Sequence, residues 1–158
     1  MAASMVAADP FADLAILVSD PQPNITIAQQ PIIASIPGGL GPGAEVVVLG
    51  YPFAPIGSLL ETWMPSFVTA LARRQLAPGV HTDELVLGLQ SHPGMSGAAV
   101  VGRQDGVLYG ILRGTLSPPE VIKIGDIPVA TDTSVTFATS AHLLHDLLQA
   151  ARNEVDKL

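Results

Sequence analysis

Cysteine is absent from this 158-residue chain. That single absence removes disulfides, thiolate metal sites and a cysteine nucleophile together, and it leaves the cellular compartment open. Charge is also scarce: 13% of residues are Asp, Glu, Lys or Arg, about half the usual share. Seven basic residues face fourteen acidic ones, giving a net charge of −7. With no basic cluster beyond Arg73-Arg74, phosphate repulsion argues against a nucleic-acid partner. Long unbroken apolar runs are missing too. The uncharged run from Pro21 to Ala44 is interrupted by Pro, Gly, Gln and Asn, and Val46 to Leu60 contains Pro52, Pro55 and Gly57, so neither reads as a membrane span. Met1 to Val6 has no basic start and no sustained apolar core, and so lacks the pattern of a secretory signal.

What is present is apolar and strand-like. A hydrophobic fraction of 48% and a mean hydropathy of +0.44 suit one folded domain with a real core. The chemistry concentrates in Ser91-His92-Pro93-Gly94-Met95-Ser96-Gly97-Ala98-Ala99-Val100-Val101. Glycines on either side of a serine let the backbone turn sharply and approach a bound carbonyl. Such a turn also leaves the N–H groups of Gly94 and Ser96 available to an oxyanion. Gly-x-Ser-Gly is equally a common tight turn between strands, so the motif alone leaves both readings open.

Gly94-Met95-Ser96-Gly97-Ala98-Ala99-Val100 resembles the Gly-x-Ser-Gly-Gly-Pro-Val signature of trypsin-like serine peptidases, in particular their HtrA-like bacterial branch, with Ala98 and Ala99 in place of Gly-Pro. Asp9-Pro10-Phe11-Ala12-Asp13-Leu14-Ala15-Ile16-Leu17 is similar to the family's Asp-x-x-x-Asp-Leu-Ala-Leu-Leu segment. Glu45 to Pro52 resembles the segment that closes the family's first barrel, and Gly106 to Leu112 resembles its Gly-x-x-x-Gly-Ile strand. The resemblance implies an all-β fold, a double β-barrel lacking the early strands of the first barrel, with a C-terminal helix. Residues 1–55 would be the remainder of the first barrel, 56–139 the second barrel and 140–158 the helix. It implies Ser96 as nucleophile, a buried Asp13 as orienter of the catalytic imidazole, and the Gly94 and Ser96 N–H groups as oxyanion donors. Gln90, His92, Leu112, Arg113 and Gly114 would border the substrate, a polypeptide added as a strand after Gly110. No cofactor or metal is called for.

The pattern along the chain agrees with strands. Met5 to Ala8 and Asp13 to Val18 flank an Asp-Pro turn, and Glu45 to Leu49 reads as a buried strand closed by Gly50-Tyr51-Pro52. Leu85 to Gln90 leads into the serine turn, and Asp105-Gly106 joins Ala98–Val101 to Val107–Leu112 as a hairpin. Trp63 is expected to pack, and Arg73-Arg74 to lie on a solvated face. Val135 to Ser140 should be a last strand, with Ser140 as N-cap of an amphipathic helix built on Ala141, Leu144, Leu148 and Ala151.

None of the four histidines precedes Asp13, whereas the family's general base comes from upstream of that aspartate. His92 lies in the serine's own loop, His81 reads as a surface residue, and His142 and His145 sit three apart on the helix without further metal ligands. Three explanations fit: a chain shortened ahead of its histidine, one half of a split enzyme, or a pseudo-peptidase. The expected function is therefore serine endopeptidase chemistry in an intact parent and little activity in this chain. The competing class is a peptide-binding or scaffold module. Missing barrel strands would leave open edges near Met5 to Val18 and favour self-association.

Overall fold

Alternation of apolar and polar residues builds most of this molecule. The computed structural model describes residues 3–20, 31–36, 39–53, 57, 60–92, 94–115, 122–124, 127–129 and 135–155. Within them lie β1 (Ala3–Asp9), β2 (Leu14–Ser19), β3 (Glu45–Gly50), β4 (Thr62–Ala77), β5 (Val80–Leu87), β6 (Ala99–Gly102), β7 (Leu108–Thr115), β8 (Ile122–Ile124), β9 (Ile127–Val129), β10 (Thr136–Ser140) and α1 (Leu144–Val155). Ile25 and Ile27, which suggest short strands or covering loops, and Ser117-Pro118-Pro119, which breaks structure, fall outside the described residues.

Six strands close into an antiparallel barrel in the order β10-β5-β4-β3-β6-β7. Successive residues of a strand face opposite sides, so Val46 and Val48 of β3 and Leu112 of β7 turn into the barrel while their immediate neighbours face out. The barrel core joins Val46, Val48, Val68, Leu85, Leu87, Met95, Val100, Leu112 and Ala138, with smaller side chains between them. Strand β4 is 16 residues long and slips register at Val68/Ala70 and again at Gln75/Ala77. Bulges of this kind bend a strand and let it wrap.

Strands β1 and β2 form a separate two-stranded antiparallel sheet. It packs on the outside of the barrel through a second core, in which Ala12 and Leu14 meet Leu108, Ala141, Leu144 and Leu147. One 3₁₀ turn, Ala141–Leu143, precedes α1. The helix therefore begins later than the sequence pattern suggested. Ser140 does occupy the N-cap position, but its hydroxyl makes no capping bond and lies 2.9 Å from His142 Nδ1.

One boundary read from the sequence is corrected. Glu45–Gly50 does not close a first barrel: β3 pairs with β4 on one side and β6 on the other and is a full member of the closed barrel. Periodicity announces a buried strand, but nothing local says which sheet it joins. The hairpin from β6 to β7 is present as expected. Asp105 holds its turn, accepting from the Val107 N–H at 3.0 Å and the Tyr109 hydroxyl at 2.8 Å. Those two bonds, the backbone one foremost, lower the carboxyl pKa from its ordinary value of 3.8.

Candidate active site

The serine turn is shaped by three glycines. Gly94 and Gly97 sit at φ 90° and 89°, a region that strains any residue with a Cβ. Gly50, on the neighbouring β3, serves close approach instead: a Cβ there would lie 2.8 Å from Ala98 Cβ and 3.1 Å from Met95 Cε. Met95, 1% exposed, is the plug that fixes the turn in the barrel. Ser96 is thereby held at the surface.

Main-chain bonds alternate along this turn. The Met95 N–H donates to His92 O at 3.1 Å, Gly97 to Leu112 O at 2.7 Å and Ala98 to Met95 O at 2.9 Å. Between them, the N–H groups of Gly94 and Ser96 have no main-chain acceptor among the described residues. An arrangement with two N–H groups outside the main-chain bonding beside an exposed hydroxyl can serve an oxyanion.

Arg113 supplies the other wall. Along β10, Phe137 pairs with Gly114 and Ala138 with Leu112, so Arg113 is the extra residue of a bulge. Freed from the ladder, its carbonyl accepts the Ser96 hydroxyl at 2.9 Å. Its guanidinium Nη2 reaches Glu84 Oε1 at 3.3 Å, and Arg74 Nε reaches the same oxygen at 2.8 Å. Glu84 is thus a buried carboxylate shared by two arginines, which is how a protein tolerates a charge out of water. Arg113 Nε is buried without a partner.

The substrate-facing expectations divide. Gln90 and His92 are exposed on the loop before the turn, and Arg113 and Gly114 are half-buried beside it. Leu112 is corrected. Its side chain is in the barrel core, and its N–H and C=O are both taken, by Ala98 O and the Gly97 N–H. It braces the serine turn and offers nothing to a ligand.

Asp13 lies on the other core. Asp9 Oδ1 accepts from the N–H groups of Phe11 (2.9 Å) and Ala12 (3.0 Å), an Asx turn that ends with Asp13 at φ 58°. The expected buried carboxylate is exposed, because it occupies the turn and the ladder begins only at Leu14. It makes no hydrogen bond or ion pair among the described residues. The turn is nevertheless anchored: Ala12 O accepts the buried Thr139 hydroxyl at 2.9 Å. Thr139 pairs with Ile111 of β7, two residues before the Arg113 bulge. The Asp13 turn therefore docks on β10, and the Ser96 turn on the adjacent β7.

Two sequence expectations fail nearby. Trp63 is 65% exposed and donates its indole N–H to Glu61. Arg74 leaves the solvated face for buried Glu84, while Arg73 stays exposed against Asp83. Glu84 itself had one signal in the sequence, an acidic residue opening the apolar run Leu85-Val86-Leu87. Among the described residues no histidine hydrogen-bonds the Ser96 hydroxyl, which donates to Arg113 O. His142 Nε2 is 3.9 Å from Asp83, and burial lowers its pKa below 6.5 against the opposing pull of Asp83. Its neighbour Ser140 is 2% exposed and unreachable as a nucleophile. Among the described residues no cluster could hold a metal ion, and no helix is long and apolar enough to cross a membrane.

Family models and curated protein sequences give no match to this chain. Solved structures do. The HtrA-type protease AlgW with a decapeptide superposes at TM-score 0.70 and 23% identity, covering 96% of this chain and 40% of that one. The active form of the Rv3671c protease from M. tuberculosis superposes at TM-score 0.69 and 23% identity, covering 94% and 58%. Its inactive form gives 0.64 and 24%, covering 93% and 64%. This chain has a trypsin-like, HtrA-type peptidase fold. It spans less than two thirds of the length of those proteases. Within the trypsin-like fold, the closed barrel carries the serine turn and the outer hairpin carries Asp13.

Proposed function

We propose that this chain is the serine-bearing part of an endopeptidase, with Ser96 as nucleophile and the N–H groups of Gly94 and Ser96 as oxyanion donors. The observation that carries the reading is the Ser96 turn: an exposed hydroxyl, two N–H groups without main-chain acceptors among the described residues, and a bulge carbonyl 2.9 Å away. Asp13 is assigned the role of orienting an imidazole, supported by the docking of its turn on the strand beside β7. A polypeptide is the substrate. AlgW was solved with peptides bound, and the stretch of β7 beyond Leu112, where its ladder with β6 has ended, can accept an added strand.

Hydrolysis needs a base to take the serine proton and a third group to orient that base. Here the Ser96 hydroxyl donates to a main-chain carbonyl, a group that cannot take its proton, and this chain by itself should hydrolyse peptides slowly. That same bond favours the second reading, a module that holds peptides without cleaving them. An active-site-directed fluorophosphonate separates the two. It should leave this chain unlabelled and label Ser96 once a longer form brings a histidine ahead of Asp13. Casein turnover by that longer form that survives Ser96→Ala would exclude Ser96 as the nucleophile.

A further inference from the structure

Strand β6 leads out of the serine turn with β7 on one side and β3 on the other. A cleft of about 320 Å³ opens on the β3 side, lined by Leu49, Gly50 and Tyr51 against the Gly94–Ala99 turn. The β3–β4 register pairs Leu49 with Trp63 and Gly50 with Thr62, which brings Tyr51 and Glu61 together just past the ladder. Tyr51 donates its hydroxyl to Glu61 Oε2 at 3.3 Å, and Trp63 donates its indole N–H to Glu61 Oε1. All three side chains are exposed.

Both donors to Glu61 are neutral. Among the described residues no Lys or Arg pairs with it, so its charge is held in place but not compensated. A carboxylate accepts at up to about four positions, which leaves capacity for an incoming donor. Two exposed aromatic rings beside a fixed carboxylate suit an alkylammonium or guanidinium group, whose charge meets the carboxylate and ring faces while its methylene stem lies along them. We infer that Tyr51, Glu61 and Trp63 form a subsite for a lysine or arginine side chain of the peptide, on the far side of Ser96 from Arg113. The inference rests on the peptidase reading for the peptide's presence, while the selectivity is read by binding alone.

Trp63 is the sole tryptophan, so its emission reports the site directly. The probes are three N-acetylated, C-amidated peptides of one sequence, carrying lysine, norleucine or glutamate at one position. Lysine should half-saturate the emission change at about fivefold lower concentration than norleucine, the size expected of an exposed ion pair with a cation–π contribution. Glutamate should require the most. Glu61→Gln should bring lysine to the norleucine value, and raising salt should narrow the gap in the unaltered chain. Equal titration by lysine and norleucine, no titration by any of the three, or a preference that survives Glu61→Gln would overturn the subsite. If that variant unfolds, the salt series decides: a lysine preference unchanged at about 1 M salt overturns it too. Ser96→Ala should keep the preference, so failure of Ser96 to react with the fluorophosphonate in the longer, histidine-bearing form would remove the peptidase reading and leave the Glu61 result standing.

Discussion

The two cores of this molecule differ in how they are closed. The barrel has no free edge: every one of its six strands pairs on both sides, and its interior side chains are almost wholly removed from water. The β1–β2 hairpin has two strands only, with Met5 and Leu17 each more than 60% exposed. An isolated hairpin is marginal in water, so this one depends on α1, on Leu108 and on the Thr139 bond. The serine turn is thus built into the rigid body, whereas the aspartate turn belongs to the part that must dock. Order at the candidate site therefore rests on the weaker element.

The sharpest contrast should come from truncating equal side chains in the two regions. Leu85→Ala, in the barrel core, should cost about 2–5 kcal/mol in chemical denaturation. Leu17→Ala, on the exposed hairpin face, should stay within about 0.5 kcal/mol. Similar losses at both positions would erase the distinction.

Glu84→Gln comes next, at about 3 kcal/mol, because it leaves two arginines facing an uncharged buried group. The full penalty is discounted because the Arg74 and Arg113 side chains are 33% and 30% exposed. A loss below about 0.5 kcal/mol would mean that the cluster behaves as a surface pair. Thr139→Val should cost about 1–3 kcal/mol by stranding the Ala12 carbonyl. Its signature is regional: amide exchange should accelerate across residues 3–19 while the barrel strands stay protected. Uniform acceleration would instead make hairpin and barrel one cooperative unit.

The smallest effect is the pH response of the 3₁₀ turn ahead of α1. Burial depresses the His142 pKa in the folded chain, with His145 adding to that and Asp83 and Asp146 opposing it. The unfolded state then binds more protons, so stability is present above the unfolded value near 6.5 and declines as pH falls below it. His142→Asn should flatten the melting temperature between about pH 7 and pH 5, across the ordinary histidine range. An unchanged slope would assign the pH response elsewhere.

Much of the layout was legible because it is local. Asp-Pro and Asp-Gly turns, alternating Val and Leu, and the helical spacing from Ala141 onward each announce an element within a few residues of themselves. Ser96 between glycines was legible for the same reason, since φ near +90° can be anticipated from Gly94 and Gly97. Trp63 and Arg74 were misread because burial is not a local property. A strand's two faces look alike until the sheet has a partner on one side.

The amino-acid sequence determined the strands, the serine turn and the poverty of charge, all of which follow from short-range periodicity, steric freedom and composition. Only the tertiary structure decided that β3 joins the closed barrel, that Glu84 gathers Arg74 and Arg113, and that a bulge brings the Arg113 carbonyl to Ser96. Those facts come from pairing strands that are distant in the chain. Register and closure are fixed by the packing of the whole barrel, and no single segment contains that information.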